Sequence, residues 1–450
     1  MKKLLGSTLA LAMLVPAGAN AELLKNFKAS GSLEVSAVSA NNITDINTRT
    51  YDKIGNAQTR VMVHGDWDLL DDVHARVSLT KNDRTYGSGS QNLNTVQSAL
   101  LVDESYVKID KLFGGLDTTL GRQFYGEAGD LVIYFGPKYQ LYGMPVTALD
   151  GGRFDWNGEK VGATLLAAKV TGSGLGVSNT GNVNLQGLDI HAKAMDNMSA
   201  AAYVYRRETV LSGNTTTPPI TGVVGNDILY VAGLKAKATM GIAWLKAEIA
   251  KDFGQNRRLD AVSGIPYAFT GNYTGWAAKV NLGAKVDLNN LGAVTGWGEA
   301  GIGSGGSSSN RSFQAIAGDY RPGGIYGRFG TGASQVLGGG APGFDGNTLS
   351  NRVIVGAGVK VTPAALSKLT AGVSAWNYRF QNAADANVIA AKGNKGIGTE
   401  FDLDLTWAHS ENVSVSAGVG SLQPGRAIRD QKTSGVSPAT LAYTDFSVKF

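Results

Sequence analysis

The final stretch, Leu441-Ala442-Tyr443-Thr444-Asp445-Phe446-Ser447-Val448-Lys449-Phe450, divides by parity. Ala442, Thr444, Phe446, Val448 and Phe450 fall on one side, and Tyr443, Asp445, Ser447 and Lys449 on the other. A β-strand here therefore presents one apolar and one polar face. The stretch stops on an aromatic carboxyl terminus. Periodicity leaves two settings open: the edge of a soluble sheet, or the wall of a larger closed one.

Working back along the chain, the same division recurs. Ser30 to Ala40 sets Leu33, Val35 and Ala37 against Ser32, Glu34 and Ser36. Ala57 to Leu70 sets Val61, Val63, Trp67 and Leu69 against Arg60, His64, Asp66 and Asp68. Across Asp71-Asp72 the chain returns with Val73, Ala75, Val77 and Leu79 opposite His74, Arg76, Ser78 and Thr80. Comparable pairs follow to the end, giving about 18 strands. Asn157-Gly158 predicts a type I′ hairpin turn, whose two central residues both need positive φ. Short turns alternate with long connections, of which Gly126 to Leu149 and Gly303 to Asn351 are long enough to fold back as a constriction or plug. An even strand count leaves both termini on one side, and loops sorted by length are the asymmetry of a transmembrane barrel. A solenoid would instead show a fixed repeat period.

The 450 residues include 61 Gly, 11 Pro and no Cys, which excludes a disulfide scaffold, thiol catalysis and a cysteine metal site. Lys2 and Lys3, an apolar run from Leu4 to Val15 and a small-residue end at Ala19-Asn20-Ala21 form the pattern of a secretory signal peptide. The expected division is residues 1–21 as signal peptide and 22–450 as one domain. No later stretch has the length of a transmembrane helix, so the exported chain is either soluble or a barrel. A formal charge of +5, lower once Lys2 and Lys3 are removed, gives no case for nucleic acid. The fold expected is all-β, a transmembrane antiparallel β-barrel with short periplasmic turns and long extracellular loops.

In such a barrel the apolar parity faces lipid and the charged parity faces the lumen, because Arg or Lys on the lipid side at mid-depth costs roughly 2 to 4 kcal/mol. A barrel of this size is too wide for wall side chains to fill, so its lumen is expected to be wet. On this division the lumen receives Arg60, His64, Arg76, Lys108, Arg153, Lys160, Lys235, Lys237, Lys246, Lys279, Lys285, Arg352 and Lys360. It also receives Glu34, Asp66, Glu104, Glu248, Glu400, Asp402, Asp404 and Asp445. The basic excess favours anions, though each residue taken singly is also a plain solvated wall position. Tyr134, Phe135, Tyr139 and Tyr142 in the first long loop fit either an aromatic slide or loop packing. The second loop reads as a mobile surface loop with local packing at Phe313 to Ile316 and Ile325 to Phe329. Gly301, Gly303 and Gly306 match a dinucleotide fingerprint but lead into a Ser-rich loop rather than a helix. His64, His74, His191 and His409 lack metal-ligand spacing.

An amphipathic last strand ending in Phe450 resembles the closing strand of bacterial outer-membrane barrels, which the barrel-assembly machinery recognises. Asp103-Glu-Ser-Tyr-Val107, Gly115-Leu-Asp-Thr-Thr-Leu-Gly-Arg-Gln123, Asp150-Gly-Gly-Arg153 and Gly398-Thr-Glu-Phe-Asp-Leu-Asp404 resemble the succession in outer-membrane porins of the alginate-export type. The resemblance implies 18 strands, and places Glu104, Tyr106, Arg122, Asp150 and Arg153 at or near a pore constriction. Arg122 shares parity with Leu116 and Leu120, so pattern and resemblance disagree there. The expected function is a porin in the outer membrane, a passive diffusion channel for small hydrophilic solutes such as anions, sugars or acidic saccharides. The alternative is an abundant structural or adhesion protein whose external loops carry the function. No enzyme activity and no cofactor is expected. Expected partners are outer-membrane lipid and lipopolysaccharide, the assembly machinery and small solutes, with the chain a monomer or homotrimer.

Overall fold

The computed structural model describes residues 25–43, 53–85, 100–171, 182–210, 226–256, 271–306, 310–329, 349–383, 392–431 and 435–450. The expected signal peptide and most of the external loops lie outside them. Eighteen long strands follow one another: β1 Lys25–Asn41, β2 Ile54–Leu70, β3 Val73–Thr85, β4 Leu100–Leu112, β5 Leu116–Gln123 and β6 Leu149–Asn157. Then come β7 Val161–Thr171, β8 Val183–Met195, β9 Met198–Thr209, β10 Asp227–Met240, β11 Ala243–Asn256 and β12 Trp276–Asp287. The wall ends with β13 Gly292–Gly303, β14 Arg352–Pro363, β15 Leu369–Phe380, β16 Gly396–Ala408, β17 Val413–Pro424 and β18 Ala439–Lys449. Among the described residues two short α-helices, α1 Ile325–Phe329 and α2 Arg426–Gln431, lie in loops.

Each strand pairs antiparallel with its neighbour, and β18 pairs with β1 from Ser32 opposite Lys449 to Asn41 opposite Thr440, which closes the barrel. The closure is fastened at its periplasmic end by backbone bonds in both directions between Gly31 and Phe450, at 2.8 and 3.0 Å. The expected all-β barrel is thus the observed one, and closure removes the unpaired edges that lipid cannot satisfy. Outward side chains such as Leu165, Ile249, Val355, Val373 and Phe401 are exposed, as hydrocarbon contact requires.

One turn differs from its expected form. Asn157 stays in the ladder opposite Gly162 and donates across to Asp117 at 3.3 Å, and neither it nor Gly158 has positive φ. The turn is closed further on, by the Gly158 amide on the Val161 carbonyl at 3.0 Å. A bulge in β4 leaves Asp103 as an extra residue, so that Asp103 and Glu104 are both buried on the lumen side. Elsewhere lumen aromatics lie over glycines directly opposite them, Trp376 on Gly356, Trp297 on Gly358 and Tyr205 on Gly187. A Cβ at Gly356 would stand 2.1 Å from the Trp376 ring, so the wide rings need the bare backbone.

The lumen is not uniformly wet. Leu131, Val132, Ile133, Phe313, Ile325 and Phe329 from two inward loops pack with Leu166, Leu185, Tyr203, Tyr205, Ile354 and Tyr378 of the wall into a buried apolar core. Wall side chains alone cannot span an 18-stranded barrel, but loops that carry backbone inside can. The loop after β13 is accordingly an inward, packed element in its described part, not a surface loop.

Candidate permeation site

The loop between β5 and β6 enters the barrel through a two-residue ribbon, Tyr125–Gly126 on Tyr134–Phe135. Lysines of the β10–β12 wall capture its acidic start. Lys235 reaches Asp130 at 2.5 Å, Lys237 pairs with Glu127, and Lys279 donates to the Gly129 carbonyl. Glu248 on β11 accepts the Leu131 amide and the Tyr203 hydroxyl, each at 2.9 Å. The far end of the loop rests on β2. Arg60 donates to the carbonyls of Lys138 and Met144 at 3.0 and 3.1 Å, and the Gly143 amide donates to Gln58 at 2.7 Å. Burial pushes the Asp130 carboxyl up from its ordinary value against the pull of Lys235, and pushes the Tyr134 phenol up to about 12.

The loop after β13 is held by the other wall. Glu400, fully buried on β16, accepts the amides of Ile325 and Tyr326 at 2.5 and 3.3 Å and the Tyr378 hydroxyl at 2.8 Å. Asp402 accepts the Gly324 amide at 3.2 Å. Arg328 pairs with Asp445 on β18 at 2.7 Å, donates to Ser36 on β1 at 3.1 Å and lies 4.2 Å over the Tyr443 ring. The two loops join inside the barrel, where Ile133 and Ala317 form a parallel bridge and the Asp319 amide donates to the Asp130 carbonyl at 2.8 Å. Together they form a strap across the lumen, from β10–β12 to the closing seam.

Beside the strap lies a chamber of about 610 Å³, lined by Tyr139, Tyr320, Arg321 and Arg328 of the strap and by Lys246, Trp297, Glu299, Lys360, Asp404 and Tyr443 of the wall. Lys246 and Lys360 sit nearer the periplasmic ends of their strands than Glu248 and Arg352, which are covered by the strap. The acidic groups of the chamber are bonded within the protein. Glu299 accepts from Asn281 at 2.9 Å, Asp319 pairs with Arg321 at 3.0 Å, and Asp404 takes the Tyr443 hydroxyl. Lys246 and Lys360 have no ion pair or side-chain hydrogen bond among the described residues. A second cavity of about 410 Å³ against β1–β4 is charged and paired within the protein except at Lys28, which has no ion pair among the described residues. There Arg76 lies 2.6 Å from Asp66 and 3.4 Å from Glu104, and Lys108 lies 2.6 Å from Asp110.

The expected site residues therefore separate into five groups. Arg76, Glu104, Tyr106, Lys108 and Arg153 share the lumen face of β3–β6, with Arg153 on Asp155 at 2.6 Å. Arg60, Lys235, Lys237, Lys279, Arg352, Glu400 and Asp402 are also on the lumen face but are committed to the strap or its packing; Arg352 donates to the Tyr326 hydroxyl at 3.2 Å. Lys246 and Asp404 line the chamber, while Lys160 stands in a periplasmic turn. Arg122 and Asp150 do not face the pore. They are opposite each other and opposite Ser105 and Lys169, one residue out of phase with Tyr106 and Arg153, and they form a 2.7 Å pair on the outer surface. Strand parity, which grouped Arg122 with Leu120, prevails over the motif resemblance. Tyr320, Arg321 and Arg328 were not foreseen, since an irregular loop has no period to read. Trp297 and Tyr443 lay on the polar parity, a usable signal.

No protein-family model matches the chain, and no curated protein matches it. Solved structures do resemble it in fold. The outer membrane protein OpdK of Pseudomonas aeruginosa matches with a TM-score of 0.55 at 11% identity, over 95% of this chain and 99% of that one. OccK8 (OprE) of the same organism matches with a TM-score of 0.53 at 10% identity, over 96% and 99%. OccAB4 of Acinetobacter baumannii matches with a TM-score of 0.52 at 11% identity, over 96% and 100%. These are Occ and Opd channels, so the fold comparison does not carry the alginate-export likeness. Closed by β18 on β1, crossed by an inward strap and similar over its length to these channels, the chain has the fold of an outer-membrane porin.

Proposed function

We propose that the protein is a passive diffusion channel selective for small organic anions, with Lys246 and Lys360 as the residues that set the preference. One observation carries the reading. In the 610 Å³ chamber the carboxylates are bonded by the protein, whereas these two ammonium groups are uncommitted. The field a solute meets is then positive although the wall is mixed in sign. The aromatic lining of Tyr139, Trp297 and Tyr443 supports solutes with a flat or apolar body. A structure of OpdK with vanillate, an aromatic carboxylate, fits the same class. Acidic saccharides, which the alginate-export likeness would imply, are the second class to try.

Single-channel recording of the refolded chain in a planar bilayer under a salt gradient tests the proposal. The expected result is an anion-selective reversal potential that moves toward cation preference in Lys246→Glu/Lys360→Glu, with vanillate reducing current in the parent channel. Cation preference in the parent, or a reversal potential untouched by the double substitution, overturns it.

A further inference from the structure

On the outer surface, where apolar side chains belong, β5 to β9 carry a charged rung near their external ends. Arg122, Asp150, Lys169, Asn184 and Glu208 are directly opposed in turn on five successive strands. One rung toward the periplasm, Gly152 and Ala167 stand side by side, flanked by Leu120 and by Gln186 beside Arg206. Below these come Phe154, Leu165 and Leu188. The two smallest side chains thus floor a notch with a charged upper edge and an apolar lower one. A Cβ on Gly152 would come within 3.3 Å of both Leu120 and Phe154, so their carbons bound the floor.

The acids of this patch are engaged. Asp150 pairs with Arg122 at 2.7 Å, and Glu208 takes Arg206 at 3.2 Å and Asn226 at 2.7 Å. Lys169 is exposed and has no ion pair among the described residues. Arg122, pinned by Asp150, holds its charge beside it. What the patch offers to the membrane is therefore the uncommitted positive charge of Lys169, at the end of the wall where a lipid-facing cation costs only about 0 to 1 kcal/mol.

We propose that this notch binds an outer-leaflet lipid through its phosphate-bearing headgroup, with Lys169 and Arg122 on the phosphate and Leu120, Phe154, Leu165 and Leu188 under the first acyl carbons. Charge complementarity selects this occupant over a second copy of the chain, because a self-complementary contact centred here would set Lys169 against Lys169. A short cationic edge above an apolar surface is what an anionic amphiphile needs.

The test is native mass spectrometry of the full refolded chain in nonionic detergent, titrated with lipid A and with dephosphorylated lipid A. A one-to-one adduct, held about tenfold more tightly with the phosphates than without them, is expected. Lys169→Glu should abolish that preference and Lys169→Arg restore it, with unaltered single-channel conductance showing both barrels intact. Equal binding of the two lipids, undiminished binding by Lys169→Glu, displacement of lipid A by equimolar inorganic phosphate, or dimers in place of adducts would each overturn the proposal.

Discussion

Glu400 has the parity of a pore-wall acid, yet both its oxygens are occupied by the amides of Ile325 and Tyr326 and the hydroxyl of Tyr378. Alternation along a strand reports which face a side chain takes. It does not report what chain later covers that face, and so the lumen address of Glu400, Arg60 and Arg352 was legible while their burial was not. The converse holds for Arg122, where parity with Leu120 gave the outward placement that a motif match obscured. Removing the Glu400 carboxylate orphans three buried donors, each costing about 1 to 3 kcal/mol. Glu400→Ala should therefore release α1 from the wall, seen as new chymotryptic cleavage near Tyr326 and Phe329 in the folded barrel. Glu400→Gln keeps one acceptor oxygen and should be cleaved more slowly. Equal resistance of the alanine variant and the parent would remove Glu400 from its anchoring role.

At the level of elements, the lysines of β10–β12 divide by task. Lys235 and Lys237 hold the first loop, Lys279 holds it from the chamber wall, and Lys246 faces the chamber without holding the loop. Replacing the first three with Glu sets like charges against Asp130 and Glu127 and should expel the loop, so conductance rises along with any change in selectivity. Lys246→Glu/Lys360→Glu should move the reversal potential with conductance nearly unchanged. Recording both quantities for both variants decides whether the division is real; identical signatures would erase it. Strand pairs were readable because each has a period of two, and short turns because charged or small residues interrupt it. The Asn157-Gly158 signal misplaced its turn because Asn157 found a partner in Asp117 and remained in the ladder. Neither loop of the strap had a period, and nothing local in either one names the other as its partner.

Across the whole molecule, the number of strands, their antiparallel order and the inside-out polarity follow from alternation repeated to the carboxyl terminus. The filling of the lumen does not, since it depends on contacts between distant segments. Closure concentrates at Gly31, where an added Cβ would stand 2.3 Å from the Met62 carbonyl oxygen and 2.7 Å from the Phe450 ring. Gly31→Val should lower the yield of heat-modifiable, compactly migrating barrel after refolding, and a normal yield would show that the seam tolerates the clash. The strap also has a temporal meaning. The wall grows by hairpins between neighbours, but Gly129 and Asp319, bonded at 3.0 Å, are 190 positions apart in the chain. Contacts of such separation form late, after the segments that bracket them are in place. By the same rule the closure of Gly31 on Phe450 joins still more distant segments and comes later yet, so the strap should be in place when the cylinder shuts and freshly inserted molecules should pass settled currents from their first open step.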